Sequence, residues 1–416
     1  MKLLFLAHRI PYPPNKGDKI RSYHELRALA ERGHEVHLVA FADELRDLQY
    51  QVELARWCAS VRIIRLRKPW AKLRAMATLM TARPLSLGYF GSWQIKRLVR
   101  HALAKQNFDA IFVYSSAMAQ YVPLDWRSRT IIDLVDVDSE KWREYAERTS
   151  PPESWLYKVE AERLRKYEYE IIRRFANTIL TTQCEAVLLD KLDEFTRRAR
   201  LRIITNGVDL DYFQPAPLPV ANRPVPRLVF TGAMDYYANI EAVEWFTKEV
   251  FPLIREQEPG AEFLIVGSHP ADRVKRLARQ TGVTVTGFVE DVRPFLREAT
   301  VCVVPLRIAR GVQNKLLEAM AAGKAAVATP EAIAGLRVVS GEQLLTASAP
   351  GEFAQAALKL IRDDRLRESL GRQARRFVET EHDWTPLLQK LAELLETVAQ
   401  RNPDSETRKA RAMSRF

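Results

Sequence analysis

Cysteine is scarce in this sequence, and long uninterrupted apolar runs are missing. Three cysteines among 416 residues lie far apart inside apolar runs. This pattern excludes a disulfide framework or a cysteine-based zinc site and is typical of reduced thiols in a cytosolic protein. No window approaches the roughly 18 apolar residues of a membrane-spanning helix. The apolar run at residues 3–7 is too short for a signal peptide and predicts a buried first strand.

Glycine-rich nucleotide motifs are also absent. Neither G-x-G-x-x-G nor G-x-x-x-x-G-K-[ST] occurs, so ordinary dinucleotide-binding and P-loop functions lose support. Acidic residues are outnumbered, with 52 against 64 basic residues, and the formal charge of +12 indicates an anionic partner. That partner is a phosphorylated metabolite, an anionic membrane surface or nucleic acid. No recognition motif accompanies the charge, which argues against nucleic acid.

Short β-type runs alternate with helix-period segments, which predicts an α/β chain with parallel sheets. Residues 212–227 contain five prolines and neither period, so we interpret them as an inter-domain linker. The linker separates a first domain at residues 1–211 from a second at residues 228–380. Residues 381–400 are predicted to form a helix that can cross back to the first domain, and residues 401–416 a disordered basic tail.

Two α/β halves of similar size imply a cleft between two sheets, with the ligand at the carboxyl ends of the strands. In the first half, Lys16, Gly17 and Lys19 lie in a loop before a helix, which suits a phosphate or an anionic acceptor. An exposed charged turn is the alternative. In the second half, Gly232 follows the first strand, and Asn239 is either a ligand contact or a helix N-cap.

The most specific stretch reads RGVQNKLLEAMAAGK, residues 310–324. The amides of Gly311, Val312 and Gln313 can face a pyrophosphate at a helix N-terminus. Lys315 and Glu318 lie opposite the apolar stripe of that helix, and a carboxylate there can accept two hydrogen bonds from a ribose diol. A solvated Lys315–Glu318 pair explains the same spacing.

Four ordered motifs resemble a known family. They are GHEVHLVAF (33–41), ITNGVDLDYFQP (204–215), VTGFVEDVRPFLREATVCVVPLR (283–307) and KLLEAMAAGKAAVAT (315–329). Along nearly its whole length the chain resembles the retaining GT-B glycosyltransferases of family 4. The stretches LFLAHRIPYPPNKGDKIRSYHEL and IIDLVDVDSEKW are further similar to sugar transferases of exosortase-linked (PEP-CTERM) exopolysaccharide loci.

The resemblance implies two Rossmann-like domains, with a UDP- or GDP-sugar donor bound by the second. It implies transfer with retention, no cofactor and no required metal. Glu318 matches the family glutamate that contacts the donor ribose, and Asn206 and Gly207 match a hinge-proximal segment. Arg310 stands where the family has the glutamate that contacts the donor sugar.

The same comparison shows a second departure. The loop after Gly232 lacks the arginine and lysine with which the family holds the diphosphate. Our hypothesis is that Arg307, Arg310 and Lys315 supply the missing cations.

On the acceptor side, the family often has a histidine where a first-domain strand here ends in DLVDVD. Asp136 and Asp138 are the candidates to accept the proton of the acceptor hydroxyl. An N-cap role for Asp138 is the alternative. The DVD letters also resemble the metal-binding D-x-D of the other major glycosyltransferase fold, so a metal-dependent transferase stays open.

Residues 65–106 contain two amphipathic stripes flanked by lysines and arginines. They are formed by Trp70, Leu73, Ala77 and Met80 and by Ile95, Leu98, Val99 and Ala102. Such a surface suits a lipid-linked acceptor reached from the anionic inner face of the cytoplasmic membrane. The alternative is that both stripes pack into the first domain.

The sequence therefore predicts a glycosyltransferase of exopolysaccharide biosynthesis that works in the cytoplasm. An inactive scaffold of the same fold and a sugar-nucleotide epimerase remain as alternatives.

Overall fold

The computed structural model describes residues 1–189, 191–215 and 225–400. Its contacts divide the chain into two compact units. Among the described residues, the first unit contains those of Met1–Ile204 and residues 385–400, and the second contains those of Thr205–Trp384. The central part of the predicted linker, residues 216–224, and the predicted tail, residues 401–416, lie outside the described residues.

The first unit is built on a parallel seven-stranded sheet. Its strands are β1 (Lys2–Ala7), β2 (Glu35–Ala42), β3 (Ser60–Arg65), β4 (Ala110–Tyr114), β5 (Thr130–Val135), β6 (Asn177–Leu180) and β7 (Leu201–Ile203). They lie in the order β3-β2-β1-β4-β5-β6-β7. Both faces are covered by helices, so β1 and β4 are apolar runs without alternation, as parallel sheets require.

The helices of the first unit follow these strands along the chain. They are α1 (Gly17–Glu31), α2 (Gln51–Leu54), α3 (Lys68–Ala77), α4 (Leu85–Tyr89), α5 (Trp93–Lys105), α6 (Asp138–Arg148), α7 (Glu153–Arg174), α8 (Gln183–Leu188) and α9 (Glu194–Arg200).

The second unit has a six-stranded parallel sheet. Its strands are β8 (Arg227–Thr231), β9 (Glu262–Val266), β10 (Val283–Gly287), β11 (Val301–Val304), β12 (Ala326–Ala328) and β13 (Leu345–Thr346), in the order β10-β9-β8-β11-β12-β13. Its helices are α10 (Tyr237–Trp245), α11 (Phe251–Gln257), α12 (Asp272–Leu277), α13 (Arg293–Glu298), α14 (Asn314–Ala321), α15 (Pro330–Ile333), α16 (Pro350–Arg362) and α17 (Asp364–Glu381).

One predicted helix, residues 239–257, is divided in the structure. A π-helical turn at Phe246–Val250 separates α10 from α11. Pro252 follows at the start of α11, and a proline has no N–H to donate to the preceding turn, which accounts for the interruption.

The last described helix, α18 (Trp384–Gln400), contributes to the first unit from Thr385 onward. The Arg32 guanidinium at the end of α1 donates to the Gln389 side-chain oxygen at 3.0 Å.

The strand orders place one topological switch point in each sheet. In the first sheet the direction of the strand order reverses between β1 and β4, and in the second between β8 and β11. Loops that leave two neighbouring strands in opposite directions open a crevice at their carboxyl ends, which is where open α/β sheets bind ligands. The two Rossmann-like sheets confirm the predicted fold class.

Of the two amphipathic stripes in the first unit, one is buried and the other is exposed. In the second stripe, Ile95 and Val99 are fully buried in the core. In the first, Trp70, Leu73 and Met80 are exposed. The alternative that both stripes pack into the first domain is therefore confirmed for the second stripe and wrong for the first. Among the described residues, no helix is long and apolar enough to cross a membrane.

Candidate active site

The switch point of the second unit is lined by backbone. The Gly232 N–H donates to the carbonyl of Val266 at 3.0 Å. A Cβ on Gly267 would lie 1.6 Å from the Gly232 carbonyl oxygen, so the two loops approach more closely than any side chain permits. The β8 and β9 ends therefore present main-chain groups, which bind phosphate or sugar oxygens without bulky side chains in the way.

Lys315 reaches this edge from α14. Its Nζ donates to the Asn239 side-chain oxygen at 2.6 Å and lies 4.9 Å from the centre of the Phe230 ring. The Asn239 amide in turn donates to the Ala233 carbonyl at 2.9 Å. The structure thus places a cation beside Gly232, at the strand end whose own loop has no basic residue.

Asn239 does not cap α10. The N-cap is Tyr236, and Asn239 lies inside the first turn with its side chain almost wholly buried. The N-cap interpretation was wrong because the helix begins two residues earlier, and the buried amide instead joins the β8 loop to Lys315.

Glu318 lies one turn after Lys315 on α14. Burial raises the pKa of the Glu318 carboxyl to about 7, although the charge of Lys315 opposes the shift. Burial likewise lowers the pKa of the Lys315 ammonium to about 8, against the opposing effect of Glu318. Both groups are partly buried, so the solvated pair is not what the structure contains. Two ionisable groups with pKa values moved toward neutrality are typical of a binding or catalytic site.

The loop before α14 has a conformation that depends on glycine. Gly311 adopts a φ of +58°, and the side-chain Nε2 of Gln313 donates to the Arg310 carbonyl at 2.8 Å. Gln313 is the N-cap, and no side chain caps the helix there. Val312 is buried, so it contributes its backbone and not its side chain to this surface.

The three predicted cations differ in their surroundings. Arg307 forms an ion pair with Glu241 and lies 5.2 Å from the centre of the Trp245 ring. Arg310 is partly buried in the glycine loop. Lys315 is the one that contacts the β8 loop through Asn239.

An aromatic and charged group beside Glu318 was missed from the sequence. The Tyr212 hydroxyl donates to Asp291 at 3.2 Å, and the Arg293 guanidinium lies 3.9 Å from the centre of the Tyr212 ring. Burial raises the pKa of Tyr212, and the charges of Asp291 and Glu318 act in the same direction. From its sequence Tyr212 was assigned to the linker, and Asp291 lies in the family-like stretch at residues 283–307 without an assigned role.

Asn206 and Gly207 contact the starts of two different helices. The Asn206 amide donates to the Asn314 side-chain oxygen at 3.1 Å. A Cβ on Gly207 would lie 2.5 Å from the Trp384 ring, so the ring packs directly on the backbone. Asn206 therefore positions the helix that bears Lys315 and Glu318, whereas Gly207 packs against the start of α18.

In the first unit, carboxylates lie close to the positive charges of the predicted phosphate loop. Lys16 is the N-cap of α1 and Gly17 its first residue. Lys19 is buried and lies 3.4 Å from the Asp47 carboxylate. Burial alone would raise the pKa of Asp18, but hydrogen bonds and charges from His8 and Arg9 hold it far below its usual range.

Asp136 follows a strained strand end. Val135 has a φ of +68°, a conformation that is costly for a β-branched residue and clusters at functional sites. The Thr181 hydroxyl donates to the Asp136 carboxylate at 2.7 Å. Burial raises the pKa of Asp136, and the neighbouring charge of Asp138 adds to the shift.

Asp138 is the first residue of α6, and the N-cap is Val137. The N-cap interpretation of Asp138 was therefore wrong. Its carboxylate instead accepts from the Lys141 ammonium at 2.5 Å.

Three buried carboxylates hold these loops in place. Glu185 accepts from the Val137 N–H at 2.6 Å, and Glu168 accepts from the Ser139 N–H and hydroxyl. Asp133 accepts from the Arg21 guanidinium at 2.7 Å, which joins β5 to α1. The strand that leads into Asp136 is thus fixed to helix α1.

No cluster of three or more histidine, cysteine, aspartate or glutamate side chains within the described ranges is arranged to hold a metal ion. Asp136 and Asp138 therefore lack a third ligand of these types there, and the D-x-D interpretation gains no geometric support.

Family models match both halves of the chain. Residues 19–207 match the glycosyl transferase 4-like domain, and residues 225–363 match the glycosyl transferases of group 1. An uncharacterized glycosyltransferase of Methanocaldococcus jannaschii is 23% identical over 261 residues. That match covers 58% of this chain and 66% of the relative, so the chain spans slightly less than two thirds of that protein's length.

Solved structures with the same fold cover nearly the whole chain. Sucrose-phosphate synthase from Thermosynechococcus elongatus superposes with a TM-score of 0.70 at 18% identity, covering 97% of this chain and all of its own. HepE of Anabaena, crystallised with UDP and glucose, superposes with a TM-score of 0.66 at 16% identity, covering 95% of this chain and all of its own. At these identities the likeness establishes the fold.

Proposed function

We propose that this chain, which combines a glycosyl transferase 4-like domain with a group 1 glycosyl transferase domain, transfers a sugar with retention from a nucleotide-sugar donor to a glycan or lipid-linked acceptor. One observation carries the proposal. Lys315, held by Asn239 beside Gly232, and Glu318 on the next turn form a cation–carboxylate pair at the switch point of the second sheet.

The donor contacts follow from the chemistry of a nucleoside diphosphate. The Glu318 carboxylate accepts hydrogen bonds from the ribose diol. The Lys315 ammonium and the backbone amides of the Gly232 and Gly311 loops stabilise the charge that develops on the leaving diphosphate. HepE was crystallised with UDP-glucose, which supports a uridine-linked donor among those to test first.

The acceptor contacts are assigned to the first unit. Asp136, with a raised pKa and a fixed partner in Thr181, or Asp138 accepts the proton of the acceptor hydroxyl. Lys16, Gly17 and Lys19 are assigned to an anionic part of the acceptor. Donor cleavage without a metal ion or other cofactor stays a proposal, and activity in the presence of a chelator tests it.

The finer biological assignment is part of the proposal as well. A role in exopolysaccharide biosynthesis of the PEP-CTERM type, at the inner face of the cytoplasmic membrane, rests on the sequence resemblance of residues 4–26 and 131–142.

A thermal-shift screen of UDP- and GDP-linked sugars tests donor binding directly. The expected result is stabilisation by one nucleotide class, weakened by Glu318→Gln and by Lys315→Met. Incubation of the selected donor with glycan and lipid-linked acceptors, followed by NMR of the new linkage, then determines whether the configuration is retained. Absence of any nucleotide effect would overturn the proposal.

Arg310 favours a second candidate, an inactive scaffold of this fold. It replaces the glutamate expected to contact the donor sugar, and a scaffold would bind nucleotide weakly or not at all. Calorimetry with UDP and GDP separates the two functions. Formation of an epimerised sugar without any acceptor would instead identify an epimerase.

A further inference from the structure

The positive charge of this chain is concentrated in one segment. No aspartate or glutamate occurs between Glu53 and Asp109. The same segment contains twelve basic residues, Arg56, Arg62, Arg65, Arg67, Lys68, Lys72, Arg74, Arg83, Lys96, Arg97, Arg100 and Lys105. The rest of the chain has 52 basic and 52 acidic residues, so this segment accounts for the whole formal charge of +12.

The centre of the segment presents an apolar face to solvent. Along α3 and the turn that follows, Trp70 and Leu73 are each 60% exposed, Met76 is 48% exposed and Met80 is 91% exposed. At 100° per residue these four side chains share one side of the helix, and we call them the α3 face. Four large apolar side chains grouped in this way differ from the scattered exposed residues of an ordinary surface.

The opposite side of α3 is fixed to the first unit. Ala71 is fully buried, and the Arg163 guanidinium of α7 donates to the Thr78 carbonyl at 2.9 Å. A Cβ on Gly88 would lie 2.7 Å from the Arg74 carbonyl, so α4 packs closely on the helix. The α3 face is therefore the outer side of a well-packed helix.

Charge surrounds the α3 face. Arg65, Arg67, Lys68 and Lys72 are exposed before and along it, and Arg83 is exposed just after it. On α5 the apolar side faces the core, but Lys96, Arg97 and Arg100 point to solvent and Trp93 is 69% exposed at its start. An apolar stripe with a tryptophan and a rim of cations is the arrangement by which an amphipathic helix lies in the interface of an anionic bilayer.

We propose that the α3 face docks the first unit on a membrane surface that contains anionic phospholipid. Trp70, Leu73, Met76 and Met80 enter the headgroup region, and the surrounding lysines and arginines contact lipid phosphates. A bilayer explains both features at once: acyl chains accept the apolar side chains, and the surface potential attracts the basic residues of a segment without acidic ones. The docking rests on the membrane location given in the proposed function. Vesicle binding is measured without donor or acceptor, so its failure leaves the proposed sugar transfer untouched.

Vesicle co-sedimentation of the full chain tests this surface. The probes are vesicles of phosphatidylcholine alone and of phosphatidylcholine mixed with phosphatidylglycerol. The chain is expected to bind the mixed vesicles at least about tenfold more tightly, and rising salt is expected to weaken the binding. Equal binding to both compositions would overturn the proposal.

Variants separate the α3 face from general charge. Leu73→Glu combined with Met80→Glu should abolish binding, because two carboxylates replace the inserted side chains. Phe195→Glu is the matched control, since Phe195 is 82% exposed on the arginine-rich helix α9 and should leave vesicle binding unchanged. Circular dichroism and the temperature of thermal unfolding report whether each variant folds.

Two further measurements distinguish a membrane from RNA or a second copy of the chain as the partner of the α3 face. Hydrogen exchange of residues 68–83 should slow with mixed vesicles and stay unchanged with single-stranded RNA. Slowing by RNA, or a concentration-dependent dimer that the double variant abolishes, would assign the α3 face to nucleic acid or to a second copy instead and overturn the membrane assignment.

Discussion

Lys315 donates a 2.6 Å hydrogen bond to the side chain of Asn239, although 76 residues separate them. The contact exists because β8 and β11 are neighbours in the sheet, which brings the helix after β11 beside the loop after β8. It places a cation at the strand end whose own loop contains none.

Replacement of Lys315 by methionine should weaken nucleoside diphosphate binding about tenfold or more, because a charge-assisted contact is lost. Calorimetry with UDP and GDP measures the effect. The matched control is Lys359→Met, an exposed lysine on α16, which should leave affinity unchanged. Equal affinities of wild type and Lys315→Met would remove Lys315 from the donor site.

Donor affinity should also depend on pH on both sides of neutrality. The pKa of the Lys315 ammonium is lowered to about 8, so its charge is lost as pH rises through that value and diphosphate binding weakens. The pKa of Glu318 is raised to about 7, so its carboxylate is protonated as pH falls below that value and the ribose contact weakens. Because the two groups interact, the profile reports them as a pair.

Calorimetry with UDP and GDP at intervals of about one pH unit between about pH 6 and 9 measures this profile. Lys315→Met should remove the loss of affinity at high pH, and Glu318→Gln should remove the loss at low pH. A flat wild-type profile would contradict this assignment.

Much of the fold was predictable because its signals are local. Strands such as β1 and β5 are apolar runs bounded by polar loops. The run at residues 3–7 predicts the first strand, and the structure places β1 at Lys2–Ala7. The position of Glu318 on its helix follows from the periodicity of α14 in the same way.

The contacts that define the site were not predictable, because they depend on tertiary neighbours. Asn239 has the sequence signature of an N-cap, yet it is buried against Lys315. The two amphipathic stripes have the same pattern, but the stripe of α5 packs on the core, whereas α3 packs on α4 and α7 with its opposite side and leaves its stripe exposed.

Gly207→Ala should destabilise the protein by about 1–3 kcal/mol, since the new methyl group meets the Trp384 ring in a packed contact. Urea denaturation measures the free energy of unfolding. Gly351→Ala is the matched control, because a Cβ there meets nothing within 4 Å, and it should be neutral or slightly stabilising on α16. Similar stabilities of the two variants would show that the Trp384 ring adapts.

Asp136→Asn should lower kcat by about 10²–10⁴-fold while leaving donor affinity unchanged, if this carboxylate accepts the acceptor proton. Asp138→Asn is the competing test, because Asp138 has Lys141 as its partner and lies at the same strand end. Asp125→Asn changes an exposed aspartate of the same unit and controls for general charge. Full activity in both Asp136→Asn and Asp138→Asn would exclude either residue as the base.

Glu318→Gln should separate stability from binding. Burial raises the pKa of the folded-state carboxyl to about 7 from an ordinary value of 4.5, so the folded state holds this proton more tightly than the unfolded state does. Stability contributed by this group is therefore fully present below about pH 4.5 and is lost as pH rises through about 7. At pH 8 the neutral glutamine should raise the free energy of unfolding by about 1–3 kcal/mol, and at pH 5 it should change that free energy little.

The same variant should bind nucleotide more weakly, because an amide is a poorer partner than a carboxylate for two ribose hydroxyls. Urea denaturation at both pH values, together with calorimetry, checks both halves. A variant that is less stable at pH 8 than wild type would show that other groups compensate the Glu318 charge in the folded protein. The ionised carboxylate would then not destabilise the fold, which would contradict this prediction.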